Sequence, residues 1–487
     1  MPDAVIPHGA SVDVGPVDAT DMPTGLLADP HPEKAAHTRS GPVPLRLLPD
    51  TAAVSPEGGL IVGGVDLQEL IATVGTPAFV YDEEQLRRRC RETVQAWGSG
   101  VAYASKAFLC QAMARLAFEE GMMLDVSTEG ELHVALSAGV PANSLVVHGN
   151  NKSHVELARA VEVGVARIIV DSFDEIDRLE AIASASASVK RPQVLIRVTP
   201  GIEAHTHEYV MTGQDDSKFG FGLASGAARE AASILSRSGA PLDLVGLHAH
   251  IGSQIFSLSS FDKATAVMAG FLADLTKMLD TRLGGPGSIK EICMGGGLGV
   301  AYVEGEDSPS ITQWARAVRS AGALAGIPDS VRLTAEPGRA IVAAAGLTAY
   351  TVGTIKDIPG VRTYVSVDGG MSDNPRPVLY GSGYEAFLAR CVTAERPQKV
   401  TVVGKHCESG DVIVRDAQLP EDLAVGDVLV TPVTGAYGHS MASNYNKVPR
   451  PPVIFVRDGV AREVVRRETV ADLLALDKPD AGPIPSR

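Results

Sequence analysis

The stretch VAYASKAF, residues 101–108, decides how this chain is read. VAYAS is almost unbroken apolar sequence, the pattern of a strand buried on both faces in a parallel sheet. Lys106 stands at its end. Alone, such a lysine is either a solvated strand terminus or an amine placed for chemistry, and the choice rests on what the chain puts at equivalent positions.

Working outward, seven more β-rich runs follow: MLDVST (123–128), SLVVHG (144–149), RIIVDS (167–172), QVLIRV (193–198), LVGLHAHI (244–251), IKEICMGG (289–296) and VRLTAEP (331–337). Helix-like segments separate them, among them QAMARLAFEEG, SHVELARAVEVG and FDKATAVMAGFLADLTKML. Thr128 and Glu131 have capping-box spacing, and Gly121 follows a last helical turn. Eight β-then-α units over about 260 residues predict a (β/α)8 TIM-like barrel. A doubly wound open sheet is the alternative with the same alternation. In a barrel, active sites gather where strands end. Here those ends carry Lys106, Asp125, His148, Asp171, Arg197, His250, the glycines 295–297 and Glu336. So consistent a set of polar ends is not eight unrelated solvated termini.

After about residue 340 the rhythm changes to short β-branched runs between turn residues, such as TYVSVDGG, KVTVVGK, DVIVRD and DVLVTPV. This predicts an all-β C-terminal domain. PLRLLPDTAAVSPEGGLIVGG (44–64) is also β-like and is expected to join it. The expected organisation is a disordered leader over 1–43, an N-terminal segment over 44–75, a barrel over 76–338, a β domain over 339–476 and a flexible tail over 477–487.

Composition narrows the function. Forty-three basic against 58 acidic residues give a net charge of −15, which argues against a nucleic-acid partner. Cys90, Cys110, Cys293, Cys391 and Cys407 are scattered and lack zinc spacing, a pattern of a reducing compartment. With no basic, apolar signal segment and no membrane-length apolar run, the expectation is a cytoplasmic protein with no membrane partner.

Three motifs carry chemistry. GGGLG (295–299) lets backbone N–H groups approach an anion closely, although a tight turn also explains it. EPGR (336–339) ends the eighth strand with Glu336, the rigid Pro337–Gly338 turn and Arg339. HAHIGSQ (248–254) supplies His248, His250 and Ser253; no third ligand for a metal at the two histidines is evident, so no metal is expected. A lysine, an acid and a phosphate nest in one barrel mouth point to pyridoxal 5'-phosphate, with a Schiff-base lysine and an acid on the pyridine nitrogen.

YASKA, DVSTEGEL, HGNNKS, HAHIGSQ, GGGLG, EPGR, VDGGMSDNPRPVLY (367–380), CESGD (407–411) and GAYGHSMASNYN (435–446) occur in that order. Together they resemble the diaminopimelate decarboxylases, fold-type III pyridoxal-phosphate enzymes, over about residues 45–476. The resemblance implies that Lys106 carries the cofactor, Glu336 pairs with its ring nitrogen, His250 stacks on the ring and Asp125 lies near the lysine. It implies a phosphate site built from Ser253, Gly295, Gly296, Gly297, the backbone of Glu336, Pro337, Gly338 and Arg339, and Tyr437. Arg339, Arg376 and Tyr380 would grip substrate carboxylate, Tyr437 would border the substrate, and Glu408 would face its distal end. Cys407 would protonate Cα. Cys407 and Glu408 would reach the site from the second subunit of a homodimer. The implied reaction is decarboxylation of meso-2,6-diaminopimelate to L-lysine; a same-fold decarboxylase of ornithine, arginine or carboxynorspermidine is the alternative. Phe108 and Glu129 depart from the common family pattern, which bears on fine substrate preference. His148, Asn150, Asn151 and Lys152 match the family, with a structural role as reasonable as a chemical one.

Overall fold

The computed structural model describes residues 41–186, 190–202, 216–283 and 289–479. Most of the expected leader and tail lie outside the described residues.

Among the described residues, eight parallel strands form the path of the first sheet, with the short strand Phe221–Gly222 added on β5: β1 (Ala102–Ala104), β2 (Met123–Val126), β3 (Leu145–Val147), β4 (Arg167–Val170), β5 (Gln193–Thr199), β6 (Asp243–Ala249), β7 (Glu291–Cys293) and β8 (Arg332–Thr334). They neighbour one another in chain order from β1 to β8. Each coincides with one of the eight apolar runs. The ends meet: the amides of Ala102 and Ala104 donate to the carbonyls of Ala335 and Pro337, both at 3.1 Å. That seam makes the sheet a barrel and removes the open-sheet alternative. Strands this apolar are stable only when covered on both faces, and helices such as Gln111–Glu119, His154–Val163 and Ile311–Leu324 provide the cover.

Local signals account for the helix starts. Ser153 and Ser310 make complete capping boxes with Glu156 and Gln313. At Glu129–Ser137, Thr128 accepts from the Glu131 amide, but the Glu131 carboxylate turns back to the Ser127 amide at 2.6 Å, so the expected box is half made.

The second sheet is all-β: β9 (Gly346–Ile358), β10 (Arg362–Val367), β11 (Gln398–Val403), β12 (Val412–Leu419), β13 (Val428–Pro432), β14 (Val453–Arg457) and β15 (Val460–Val465). The strand Ala78–Asp82 lies inside it, antiparallel to β9 and parallel to β14. An expected boundary at residue 76 puts this strand in the barrel, and its hydrogen bonds put it in the β domain. Its sequence AFVYD, buried throughout, suits either sheet. The segment before it forms a small sheet (Ala53–Val54, Leu60–Val62, Val65–Asp66) joined to the β domain by the Leu60 amide on the Ala389 carbonyl. Among the described residues, no helix is long and apolar enough to cross a membrane.

Candidate active site

The candidate site lies at the C-terminal ends of the barrel strands, and each side chain there is set by how its strand stops. β1 runs into a single 3-10 turn, Ser105–Ala107, which presents Lys106 exposed between buried neighbours. That turn is pinned from the β domain. The Ala107 carbonyl accepts from the Tyr437 amide at 2.8 Å and from Ser440 Oγ at 3.2 Å. Phe108 stacks on Tyr81 with centroids 4.5 Å apart and meets the edge of His439. The departure noted at Phe108 is therefore an aromatic wedge between barrel and β domain.

Across the closing seam, Glu336 follows β8 and is buried. His148 Nε2 lies 2.9 Å from its Oε1, and His248 Nε2 lies 2.9 Å from its Oε2. Burial works against the charge of Glu336, yet the two imidazoles hold its carboxyl well below the usual range. These three side chains also come within 4.8 Å of one another, close enough to hold a metal ion. The Nε2 of each ring is engaged by its own carboxylate oxygen, so the carboxylate is clamped between the two imidazoles. The sequence pairs His248 with His250, and the structure separates them. His250 turns to the glycine loop, where its Nδ1 accepts from the Gly296 amide at 3.2 Å. Burial first, then the nearby Lys106 and Arg197 cations, push the His250 imidazole well below its ordinary value. Asp125 lies 3.7 Å from His148; burial pushes its carboxyl up to about 6, and its Oδ1 has no hydrogen-bond partner.

The glycines have a steric cause. A Cβ on Gly296 would stand 2.4 Å from the Glu336 carbonyl oxygen, and one on Gly297 2.3 Å from that of Gly252. Gly295 and Gly297 also hold φ values of +65° and +108°. The loop thus lets the ends of β6, β7 and β8 converge, which leaves a surface without side chains beside Glu336.

Two arginines complete the mouth. Arg339 donates to the Tyr302 hydroxyl at 2.6 Å and to Ser253 Oγ at 2.9 Å, and its guanidinium lies 4.8 Å from the Tyr437 ring centre. Arg376 donates to the Tyr384 hydroxyl at 2.9 Å and to Ser382 Oγ at 3.1 Å, and lies 4.4 Å over Tyr302. Both are buried. Tyr302, Ser382 and Tyr384 are absent from the sequence-derived site; Tyr302, four residues beyond Leu298 of GGGLG, is the one with a nearby motif. The phenol touching Arg376 is Tyr384, while Tyr380 ends the short helix Arg376–Tyr380, half-buried. Cys407 and Glu408 are exposed and do not join the mouth. The Cys407 amide donates to Asn446 Oδ1 at 3.2 Å, and neither side chain has a hydrogen-bond or ion-pair partner among the described residues. Lys152 is structural: its buried ammonium meets Glu175 Oε1 at 2.8 Å and the carbonyls of Gly149 and Ile169.

These residues fit pyridoxal phosphate. Lys106 offers an accessible amine, Glu336 a fixed anion for the ring nitrogen, and the glycine loop a surface open to a phosphate. Asp125 Oδ1 and Arg339 Nε are buried polar atoms that make no hydrogen bond. Fold and site together define a fold-type III pyridoxal-phosphate enzyme, and residues 83–343 match the family model "Pyridoxal-dependent decarboxylase, pyridoxal binding domain". The chain is 47% identical over 433 residues to a Mycobacterium tuberculosis diaminopimelate decarboxylase, covering 86% of this chain and 95% of that one. It is 43% identical over 442 residues to the Bacillus subtilis diaminopimelate decarboxylase, covering 89% and 98%. The solved M. jannaschii diaminopimelate decarboxylase in co-complex with L-lysine superposes with a TM-score of 0.79 at 32% identity, covering 89% and 98%. The chain belongs to the diaminopimelate decarboxylase family.

Proposed function

We propose that this enzyme removes carbon dioxide from meso-2,6-diaminopimelate to give L-lysine, the last step of lysine biosynthesis. The observation that carries the reading is the convergence of the Lys106 amine, the clamped Glu336 carboxylate and two buried arginines in one barrel mouth. Bound pyridoxal phosphate supplies an aldehyde for attachment and a ring that accepts the electron pair left behind by carbon dioxide.

The chain's own residues do the rest. Lys106 would hold the cofactor, and Glu336 would pair with its ring nitrogen. His250, whose imidazole is held well below its ordinary value by burial, would lie against the ring face as an uncharged ring. The glycines 295–297, Ser253, the EPGR backbone and Tyr437 would hold the phosphate. Arg339 and Arg376 grip substrate carboxylate: each presents a planar fork, and both are oriented by Tyr302 before substrate arrives. Tyr380 borders the same end of the substrate.

The active form is a homodimer in which Cys407 and Glu408 of each copy complete the other's site. Their exposure and their distance from any partner in their own chain support this. Cys407 returns a proton to Cα, and Glu408 faces the distal ammonium.

Carbon dioxide release from meso-diaminopimelate, ornithine, arginine, lysine and carboxynorspermidine tests the reading. Turnover of diaminopimelate alone is expected, and turnover of ornithine without diaminopimelate refutes it. For the shared site, mixing inactive Lys106→Ala and Cys407→Ala chains should restore activity in mixed dimers; no restoration refutes the sharing.

A further inference from the structure

We infer that His148 and His248 are positioning residues that together hold Glu336 as an aligned anion for the cofactor's ring nitrogen. The inference rests on the reading of Glu336 as that nitrogen's partner.

Three strands contribute. His148 follows β3, His248 lies in β6 and Glu336 follows β8. One ring nitrogen serves each carboxylate oxygen, both at 2.9 Å, so the carboxylate cannot turn without breaking both contacts. The rings sit edge to face, 5.0 Å apart at 69°, which fixes each by the other. His248 is 1% exposed and its Nδ1 has no hydrogen-bond partner. With the proton on Nε2, that orphan atom is only a lone pair; a proton there would be a buried, unsatisfied N–H, which costs more. The geometry therefore fits a neutral Nε2 donor at His248, while His148 Nε2 faces both Glu336 and, at 3.7 Å, Asp125. A neutral donor fixes a carboxylate without cancelling its charge, whereas a cationic partner would compete with the ring nitrogen for it. The other titratable groups facing Glu336 are Asp125, Arg197, His250 and Cys293. Asp125 and Cys293 oppose its charge and the Arg197 cation favours it; the two imidazole contacts add a fixed orientation, one on each carboxylate oxygen.

The test uses the holoenzyme with His148→Leu, His248→Leu, His148→Gln, His248→Gln and Glu336→Gln. Turnover and the absorbance of the bound cofactor are followed across pH. Each leucine variant should lower kcat by roughly tenfold to a hundredfold, with KM within about threefold. The acidic limb of both profiles should move up by roughly one to two pH units, because a carboxylate that loses a donor is protonated more easily. Glutamine, which keeps an N–H near the Nε2 position, should restore most of the loss. In the Glu336→Gln background a leucine substitution should cost less than about threefold more. An unmoved acidic limb, glutamine no better than leucine, or fully additive losses would overturn the inference. So would wild-type activity that falls on chelation and returns with zinc, since the cluster would then be a metal site. Should the leucine variants not fold, 15N NMR of histidine-labelled wild-type holoenzyme decides. The His248 ring, whose Nδ1 has no partner, should carry its proton on Nε2 alone at pH 8, and a doubly protonated His248 would overturn the assignment. Full activity in Glu336→Gln overturns the reading of Glu336 itself; an inactive Glu336→Gln beside wild-type-like leucine variants overturns only the clamp.

Discussion

Replacing Lys152 by methionine tests whether the lysine after HGNN is structural. The residue is 2% exposed and its ammonium has three neighbours: Glu175 Oε1 at 2.8 Å, the Gly149 carbonyl at 2.6 Å and the Ile169 carbonyl at 2.8 Å. Two of these are hydrogen bonds and the third is an ion pair, so the ammonium is satisfied within the fold. Methionine fills nearly the same volume and leaves Glu175 a fully buried acid with no cation beside it. Burial already raises the Glu175 carboxyl, and only Lys152 opposes that strongly. Breaking one side of such a buried pair costs about 3–5 kcal/mol. With an unfolding entropy of about 2.1 cal/mol/K per residue, a chain of this size loses roughly 1 °C of Tm per kcal/mol, so a fall of about 3–5 °C is expected. Scanning calorimetry of the holoenzyme reads it, and kcat/KM should change by less than about threefold. The double variant Lys152→Met with Glu175→Leu should recover at least half of the loss, because an apolar pair replaces a lone charge. An unmoved Tm with a hundredfold loss of turnover would refute the structural reading. A double variant that simply sums the two single losses would refute the pairing argument.

Other outcomes follow from the same geometry. Gly296→Ala would place a methyl 2.4 Å from the Glu336 carbonyl oxygen; overpacking of about 1–3 kcal/mol and loss of bound cofactor on dialysis are expected. Arg376→Lys would give up the fork shared between Tyr384 and Ser382 and the stack on Tyr302, lowering kcat/KM by roughly 10–100-fold without altering Tm by more than about 2 °C. Asp125 is pushed up to about 6 by burial. A carboxyl that holds its proton more tightly folded than unfolded costs stability as pH rises from about 4 to 6. In cofactor-free protein, Asp125→Asn should therefore flatten the decline of Tm across that window, and a slope equal to wild type would contradict the assignment.

The barrel was legible because a parallel strand buried on both faces writes itself as an apolar run, and all eight runs became neighbouring strands. Polar residues at the run ends located the mouth for the same reason: a side chain that interrupts such a run sits where the strand leaves the core. Ala78–Asp82 was misplaced because AFVYD has no alternation to reveal which sheet takes it. Tyr302 and Tyr384 were invisible because their importance is a contact, not a pattern; Tyr302 meets Arg339 across 37 positions of chain. His248 was paired with His250 on strand alternation, but β6 ends at Ala249, and beyond that point the period of two no longer holds. GGGLG was read for what it could bind, whereas its first constraint is how closely three strand ends approach.

The barrel closes where β1 meets the chain beyond β8, through the two hydrogen bonds to the carbonyls of Ala335 and Pro337. Lys106 and Glu336 stand on opposite lips of that seam, separated by more than two hundred residues of sequence. During synthesis the amine is in place long before its acid exists, so a partial barrel has one half of the site and no grip on the ring. On the proposed roles, cofactor capture becomes a report on closure of the barrel, because the amine meets its acid only when β8 arrives.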